Sequence, residues 1–384
     1  MEDVGLNTAF WRGRRVLVTG HTGFKGGWLS LWLQALGAKV SGFALPPSSP
    51  SFFETCGVAN VMSSQFADLR NTEAVIAAVR AAEPEIVLHL AAQAIVRQSY
   101  ADPVETYATN VMGTVHLLEA VRKVPGVHAV VVVTSDKCYD NREWPWGYRE
   151  SDAVGGFDPY ASSKGCAELV TAAYRSSYFP AKRHAEHGVA IATARAGNVV
   201  GGGDWAADRL VPDCLRALDA GTPLKLRFPD AVRPWQHVLD PLAGYLVLAE
   251  RLHRDGAPYA EAWNFGPAEN DARPVRWVVE ELAKACGSPM KWEAETLPQP
   301  HEANSLRLDC GKARSRLGWQ GRWPLQVALK KIGAWHKAFK RGANMRTFTL
   351  GQIGEYTGLM GRSEGAIERS EGSMGRSEAE GVSR

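Results

Sequence analysis

Four consecutive valines, Val130-Val131-Val132-Val133, constrain the fold of this chain more than any other feature. Successive side chains of a β-strand point to opposite faces, so an unbroken apolar run has to be covered on both sides. Helices provide such cover, and a sheet sandwiched between helices is parallel. The surrounding sequence agrees. From Arg14 to about Asn198, short β-branched runs alternate with segments of helical periodicity, and strands are expected at 15–19, 39–44, 64–67, 86–90, 129–134 and 189–194. Asp102-Pro103 and Asp158-Pro159 each set a capping acid before a proline suited to the first helical position. Helices should run from there to about Arg122 and Tyr178.

The expected class is α/β, with a doubly wound Rossmann-type parallel sheet over residues 1–198 and a smaller C-terminal α/β substrate-binding domain over 199–340. Gly201-Gly202-Gly203 and a denser supply of proline and tryptophan mark the change. Residues near 238–266 are expected to return to the first domain, and 341–358 to form a C-terminal extension. Residues 359–384 repeat Arg-Ser-Glu at Arg362, Arg369 and Arg376, with one apolar position per heptad. That cannot bury a coiled-coil seam, so a disordered tail is expected there.

Composition removes several function classes. The chain has 384 residues, 45% of them hydrophobic, which suffices for two joined domains. Lys and Arg number 44 against 41 Asp and Glu, and no basic run is interleaved with aromatics, so a nucleic-acid partner is not expected. The six cysteines are scattered, without a Cys-x-x-Cys pair or a neighbouring His cluster, which argues for reduced thiols, a cytoplasmic location and no metal site. No stretch approaches the ~20 apolar residues that span a bilayer, so no membrane association is expected.

The run Val16-Leu17-Val18-Thr19 leads into Gly20-His21-Thr22-Gly23-Phe24-Lys25-Gly26, and helical periodicity resumes over 28–36. A strand, a glycine-rich turn and a helix are the context of a dinucleotide site. The first glycine permits the tight turn, the second a close approach to pyrophosphate, and the third the packing of helix on strand. Gly20, Thr22, Gly23, Phe24, Lys25 and Gly26 are therefore the expected cofactor contacts. NAD is expected over NADP, although the usual ribose carboxylate is missing: Val40-Ser41-Gly42-Phe43-Ala44-Leu45 has no acid, and none follows before Glu54. Lys25, Lys39 and His21 are candidates for a 2′-phosphate. Asp68-Leu69 suits the adenine side, with helix capping by Asp68 as the alternative.

Tyr160 and Lys164 stand at i and i+4, on one helical face, where a cation favours the phenolate of a neighbouring tyrosine. Thr134-Ser135-Asp136-Lys137-Cys138-Tyr139 follows the valine strand directly. Ligands of doubly wound sheets bind outside the carboxyl ends of the strands, so both clusters should meet at the cofactor. His89, inside an apolar strand, reads as a core histidine.

The glycine loop, Tyr160-x-x-x-Lys164 and the preceding Ser/Thr resemble the extended short-chain dehydrogenases. More narrowly, Gly20–Gly26, Ala91-Ala92-Gln93 through Ser99-Tyr100, Thr134–Tyr139, Ala194–Asn198 with Gly201–Trp205, and Arg233-Pro234-Trp235-Gln236-His237 resemble the CDP-glucose 4,6-dehydratases, over roughly Phe10 to Tyr356. The resemblance implies a hydro-lyase that takes CDP-glucose to its 4-keto-6-deoxy product, a step towards dideoxy sugars of cell-surface polysaccharide. It further implies that Tyr160 removes the 4-hydroxyl proton, Lys164 holds the ribose, Ser135 bonds the 4-oxygen and Asp136 protonates the departing 6-hydroxyl. Lys137 stands where related dehydratases carry Glu. It is either the C5 base or a fixed charge that stabilises the enolate. Ala91, Ala92, Gln93 and Asn110 are implied around the cofactor, and Ser99, Asn198, Arg209, Arg233 and His237 around the substrate. A homodimer or homotetramer is implied, paired through the helices that follow Asp102 and Asp158. Another nucleotide-sugar 4,6-dehydratase or a 4-epimerase shares most of these features, but an epimerase needs no acid such as Asp136. A non-catalytic dinucleotide-binding protein would have no use for Tyr160, Lys164, Ser135 and Asp136 together.

Overall fold

The computed structural model describes residues 6–296, 303 and 305–358. Seven parallel strands form its centre: β1 (Arg15–Thr19), β2 (Lys39–Ala44), β3 (Ser63–Phe66), β4 (Ile86–His89), β5 (Ala129–Val133), β6 (Ala190–Arg195) and β7 (Ala262–Asn264). Their spatial order is β7-β6-β5-β4-β1-β2-β3. The order reverses between β1 and β4, and a crevice opens at such a switch point.

The valine strand is buried on both faces, as its composition requires. Five helices matter for the site: α1 (Phe24–Ala35), α2 (Thr72–Ala82), α3 (Gly113–Lys123), α4 (Pro159–Ser177) and α5 (Leu239–Asp255). Val130 and Val132 share a core with Leu17, Ile191 and the apolar stripes of α2 and α3. Val131 and Val133 face the opposite core, filled by Trp28 and Trp32 of α1 and by Leu242 and Leu246 of α5. Each buried valine contributes on the order of 1.5–3 kcal/mol of burial free energy.

Caps set the helix starts. Asp158 accepts from the Ala161 amide at 2.8 Å, and Pro159 occupies the first turn of α4. Asp102 accepts from the Glu105 amide at 2.8 Å. The helix after it runs on to Lys123, but not as one regular α-helix. Pro103–Tyr107 passes through a π-turn at Ala108–Met112 before α3 begins. Nothing in a 3.6-residue periodicity announces that inserted residue.

Helix α5 covers β5 and β6, and β7 extends the sheet by pairing Trp263 with Ala194. Residues before α5 and after β7 build a second core, in which Val211, Leu224, Trp235, Val279 and Leu329 join the helices Leu210–Ala220, Val275–Cys286 and Leu325–Lys340. The C-terminal extension is helical at Met345–Thr357. Its Arg346 donates to Gly57 O and Gln34 Oε1, each at 2.9 Å, and the Tyr356 hydroxyl donates to Asp240 at 2.8 Å. The tail at 359–384 lies outside the described residues.

Candidate active site

The glycine loop has the shape its spacing predicts. Gly20 has φ +75°, and a Cβ there would stand 2.7 Å from the Ala91 amide nitrogen. A Cβ on Gly26 would fall 2.1 Å from Gly20 O, so helix and turn meet only because both residues lack one. Gly23 caps α1 without a side-chain bond, which leaves the first-turn amides to an outside anion. The Thr22 hydroxyl ties the loop to β2 through Leu45 O at 3.0 Å. This bare helix start fits a pyrophosphate.

At the expected adenine end, Asp68 and Leu69 both make contacts within the protein. Asp68 is held by Arg70 in a two-point pair (Nε–Oδ1 3.0 Å, Nη2–Oδ2 2.6 Å), and those bonds lower its pKa. Asn71, not Asp68, caps α2, so the capping alternative fails. The Leu69 side chain packs in the core against Gly113, which leaves only its backbone for a cofactor contact. None of the three 2′-phosphate candidates is placed to serve. His21 is buried, and a Cβ on Gly42 would sit 2.4 Å from its ring; burial lowers its pKa to about 4. Lys39 opens β2 at the amino end of the sheet, away from the ligand edge. Lys25 lines the catalytic cleft instead.

Asn110 and the Ala91–Gln93 loop act on each other. Asn110 Oδ1 accepts from the Gln93 amide at 2.8 Å, and its Nδ2 donates to Gln93 O at 3.0 Å and to Ser163 Oγ at 2.9 Å. Asn110 is thus a buried clamp between this loop and α4, and its amide is spent on the protein itself. The loop residues stay partly exposed.

At the carboxyl end of β5 the chain makes one 3-10 turn, Asp136–Cys138, capped by Ser135 Oγ, which accepts from the Lys137 amide at 3.2 Å. The same hydroxyl donates to Asp136 Oδ1 at 2.9 Å and lies against the Tyr160 phenol. Burial raises the Tyr160 pKa to about 12, and the bond with Ser135 works in the other direction. Lys164 Nζ donates to Val133 O at 3.3 Å; burial lowers its pKa to about 8, against the pull of Glu168. In the protein alone, therefore, burial sets the direction of the Tyr160 shift. Asp136 is buried, and a Cβ on Gly197 would come within 1.8 Å of its Oδ2. Only glycine at 197 leaves room for that acid, a role the residue's motif did not disclose.

Lys25, Ser135, Asp136, Lys137 and Tyr160 line one cavity of about 450 Å³. It extends to Leu224–Phe228 of the second core, past Asn198, Arg209 and Arg233. Arg209 pairs with Asp204 at 3.0 Å and Arg97 with Asp208 at 3.3 Å. Lys25, Arg97 and Arg227 add positive charge that the sequence did not assign to the substrate. Burial, then Arg209 and Lys164, lower the Lys25 pKa to about 8.

Two expected substrate residues lie outside the cavity. Ser99 is buried; it donates to Val96 O at 2.6 Å and accepts from the Tyr160 amide at 3.1 Å, bracing the start of α4. His237 is enclosed between Trp28 and Trp323, with ring centroids 5.9 and 4.8 Å away, and burial lowers its pKa to about 3. His89 is a core residue, as read: Nδ1 meets Thr19 Oγ1 at 2.7 Å.

A family model described as GDP-mannose 4,6 dehydratase matches residues 17–332. The chain belongs to that family. It is an extended short-chain dehydrogenase, and it is 52% identical over a 352-residue alignment to the CDP-glucose 4,6-dehydratase of Salmonella typhimurium, covering 91% of this chain and 98% of that protein. Its fold matches a UDP-glucose 4-epimerase of Thermus thermophilus in complex with NAD (TM-score 0.72, 25% identity, 84% of this chain and 99% of that one). It also matches a dTDP-glucose 4,6-dehydratase of Streptomyces venezuelae (TM-score 0.73, 23% identity, 86% and 98%).

Proposed function

We propose that the protein is a hydro-lyase that converts CDP-glucose to CDP-4-dehydro-6-deoxyglucose with a permanently held NAD. The observation that carries this reading is the meeting of Asp136 and Lys137 with Tyr160 in one cavity beside the glycine loop. Tyr160 and a dinucleotide alone would serve an epimerase. A second acid and a cation are required only when a hydroxyl leaves. The 52% identity to the Salmonella enzyme supports CDP-glucose as the substrate, and the NAD complex of the Thermus relative supports the cofactor.

The bound dinucleotide supplies hydride acceptance from C4 and hydride return to C6. The chain's own residues move the protons. Tyr160 takes the 4-hydroxyl proton, with Ser135 bonded to the same oxygen. The new ketone acidifies C5–H; Lys137 in its amine form takes that proton, its ammonium then holds the enolate charge, and it returns a solvent-exchanged proton to C5 as hydride reaches C6. Asp136 gives a proton to the 6-oxygen, which departs as water. Lys164 and the bare start of α1 hold the cofactor, while Arg209 and Arg233 face the nucleoside diphosphate.

A homodimer or homotetramer fits the exposed apolar side chains Val104, Met112, Leu169 and Tyr178 on the helices after Asp102 and Asp158. No helix among the described residues is long and apolar enough to cross a membrane, and all six cysteines are free thiols. We place the enzyme in the cytoplasm, early in the formation of deoxysugars for surface polysaccharide.

Incubation with CDP-glucose in deuterated water should yield a 4-keto-6-deoxy product carrying deuterium at C5. Turnover of a different nucleotide-glucose, with CDP-glucose untouched, would overturn the substrate.

A further inference from the structure

Behind the catalytic group lies a buried ion pair that the chemistry above does not use. Glu168 and Arg195 are 5% and 3% exposed, and Arg195 Nη2 donates to Glu168 Oε2 at 2.8 Å. Both carboxylate oxygens have further donors. Thr134 Oγ1 donates to Oε1 at 2.5 Å and Thr193 Oγ1 to Oε2 at 2.7 Å. Arg195 Nη1 donates to the Tyr139 hydroxyl at 2.7 Å, and that hydroxyl donates to Asn264 at 2.7 Å. A buried pair of this kind is seldom more stable than an apolar pair of equal volume, because both ions are taken out of water. Stability alone gives no reason to keep it.

Its location does. Glu168 stands on α4 one turn after Lys164 and two turns after Tyr160. Thr134 immediately precedes Ser135 and Asp136, and β6, which carries Thr193 and Arg195, runs on towards Asn198. One carboxylate therefore fastens the three segments that deliver the catalytic side chains. We propose that Glu168 is a positioning residue for the reaction: through Arg195, Thr134 and Thr193 it fixes α4 on β5 and β6, and it supplies the negative charge next to the Lys164 ammonium.

The groups that act on that ammonium, or on which it acts, are Glu168 on its own helix, the Cys138 thiol after β5, Lys25 of α1 and His89 of β4. Cys138 and His89 are kept neutral by burial, so Glu168 is the anion of the set. It opposes the burial that draws Lys164 down to about 8. Without Glu168, Lys164 loses its proton at lower pH.

The test rests on the dehydratase reading and uses the full-length protein with its cofactor. The pH profile of kcat is measured for the parent, Glu168→Gln, Glu168→Asp and the charge-balanced E168Q/R195M, with thermal unfolding recorded for each. In E168Q/R195M the alkaline limb should move down by about one pH unit or more, and kcat at pH 8 should fall about tenfold, with KM nearly unchanged. E168D should restore most of the limb. E168Q leaves Arg195 buried without its partner; if it does not fold, the double variant decides. A folded E168Q/R195M whose alkaline limb coincides with the parent's overturns the proposal. A parent that is inert on CDP-glucose but active on another nucleotide-glucose overturns the substrate instead, and the pH comparison is then made with that sugar.

Discussion

Lys137 stands at the position on which the mechanism turns. Lys137→Ala should still oxidise C4 yet stall before elimination, giving substrate-dependent absorbance of the reduced dinucleotide and no 4-keto-6-deoxy product. Dehydration at the parental rate would remove Lys137 from the C5 step. Gly197 offers a second test, because a methyl group there would overlap the Asp136 carboxylate. Gly197→Ala should lower kcat about 100-fold by displacing the acid, while costing about 1–3 kcal/mol of stability in urea titration. Unchanged turnover would mean that the Asp136 carboxyl does not need its present place. At this scale the sequence exposes residues joined by local spacing, such as Tyr160 with Lys164. It hides those defined by tertiary enclosure. In a single strand, Arg233, Trp235 and His237 would share a face. The chain instead leaves one short strand, Val232–Pro234, and enters another at Gln236–His237, so Arg233 and Trp235 line the cavity while His237 is enclosed by tryptophans. Ser99 is closed off in the same way by the backbone of α4.

Between elements, His89 acts as a neutral tie. His89 of β4 bonds Thr19 of β1 and approaches Thr114 of α3 at 3.4 Å. Burial lowers the pKa of His21, His89 and His237 to about 4, 3 and 3, from an ordinary 6.5. The unfolded chain binds these protons and the folded one does not. Stability is therefore complete above pH 6.5 and is lost as pH falls from there towards 3, by up to about 1.4 kcal/mol per histidine for each pH unit. The midpoint of urea unfolding should drop steeply between pH 6.5 and 5, and less steeply in His89→Asn. Equal slopes in parent and variant would show that His89 takes no part. Strands and capped helices were readable because two faces of burial and a capping acid leave local marks. The π-turn at Ala108–Met112 left none, since only the tertiary demand of Asn110 on Gln93 and Ser163 selects it.

The assembled molecule exposes Leu169 and Val104 at 59% and 77%, on the helices proposed to pair between copies. Leu169→Arg combined with Val104→Arg should reduce the sedimenting mass by at least one association step at micromolar concentration. An unchanged mass would move the interface elsewhere. The path of the chain carries a further consequence. Strand β7 and helix α5 come from residues that follow the cavity-lining segment Leu224–Phe228, and the helix Met345–Thr357 reaches back to Gln34 and Gly57. The half that holds the dinucleotide is thus unfinished until the half that holds the sugar has been made. On the ribosome the seventh strand can join the sheet only after Asn264 has cleared the exit tunnel. For the same reason the sugar-binding half is not a detachable cassette. Cutting the gene near residue 198 gives one fragment that lacks β7 and α5 and another that carries them without the sheet they complete.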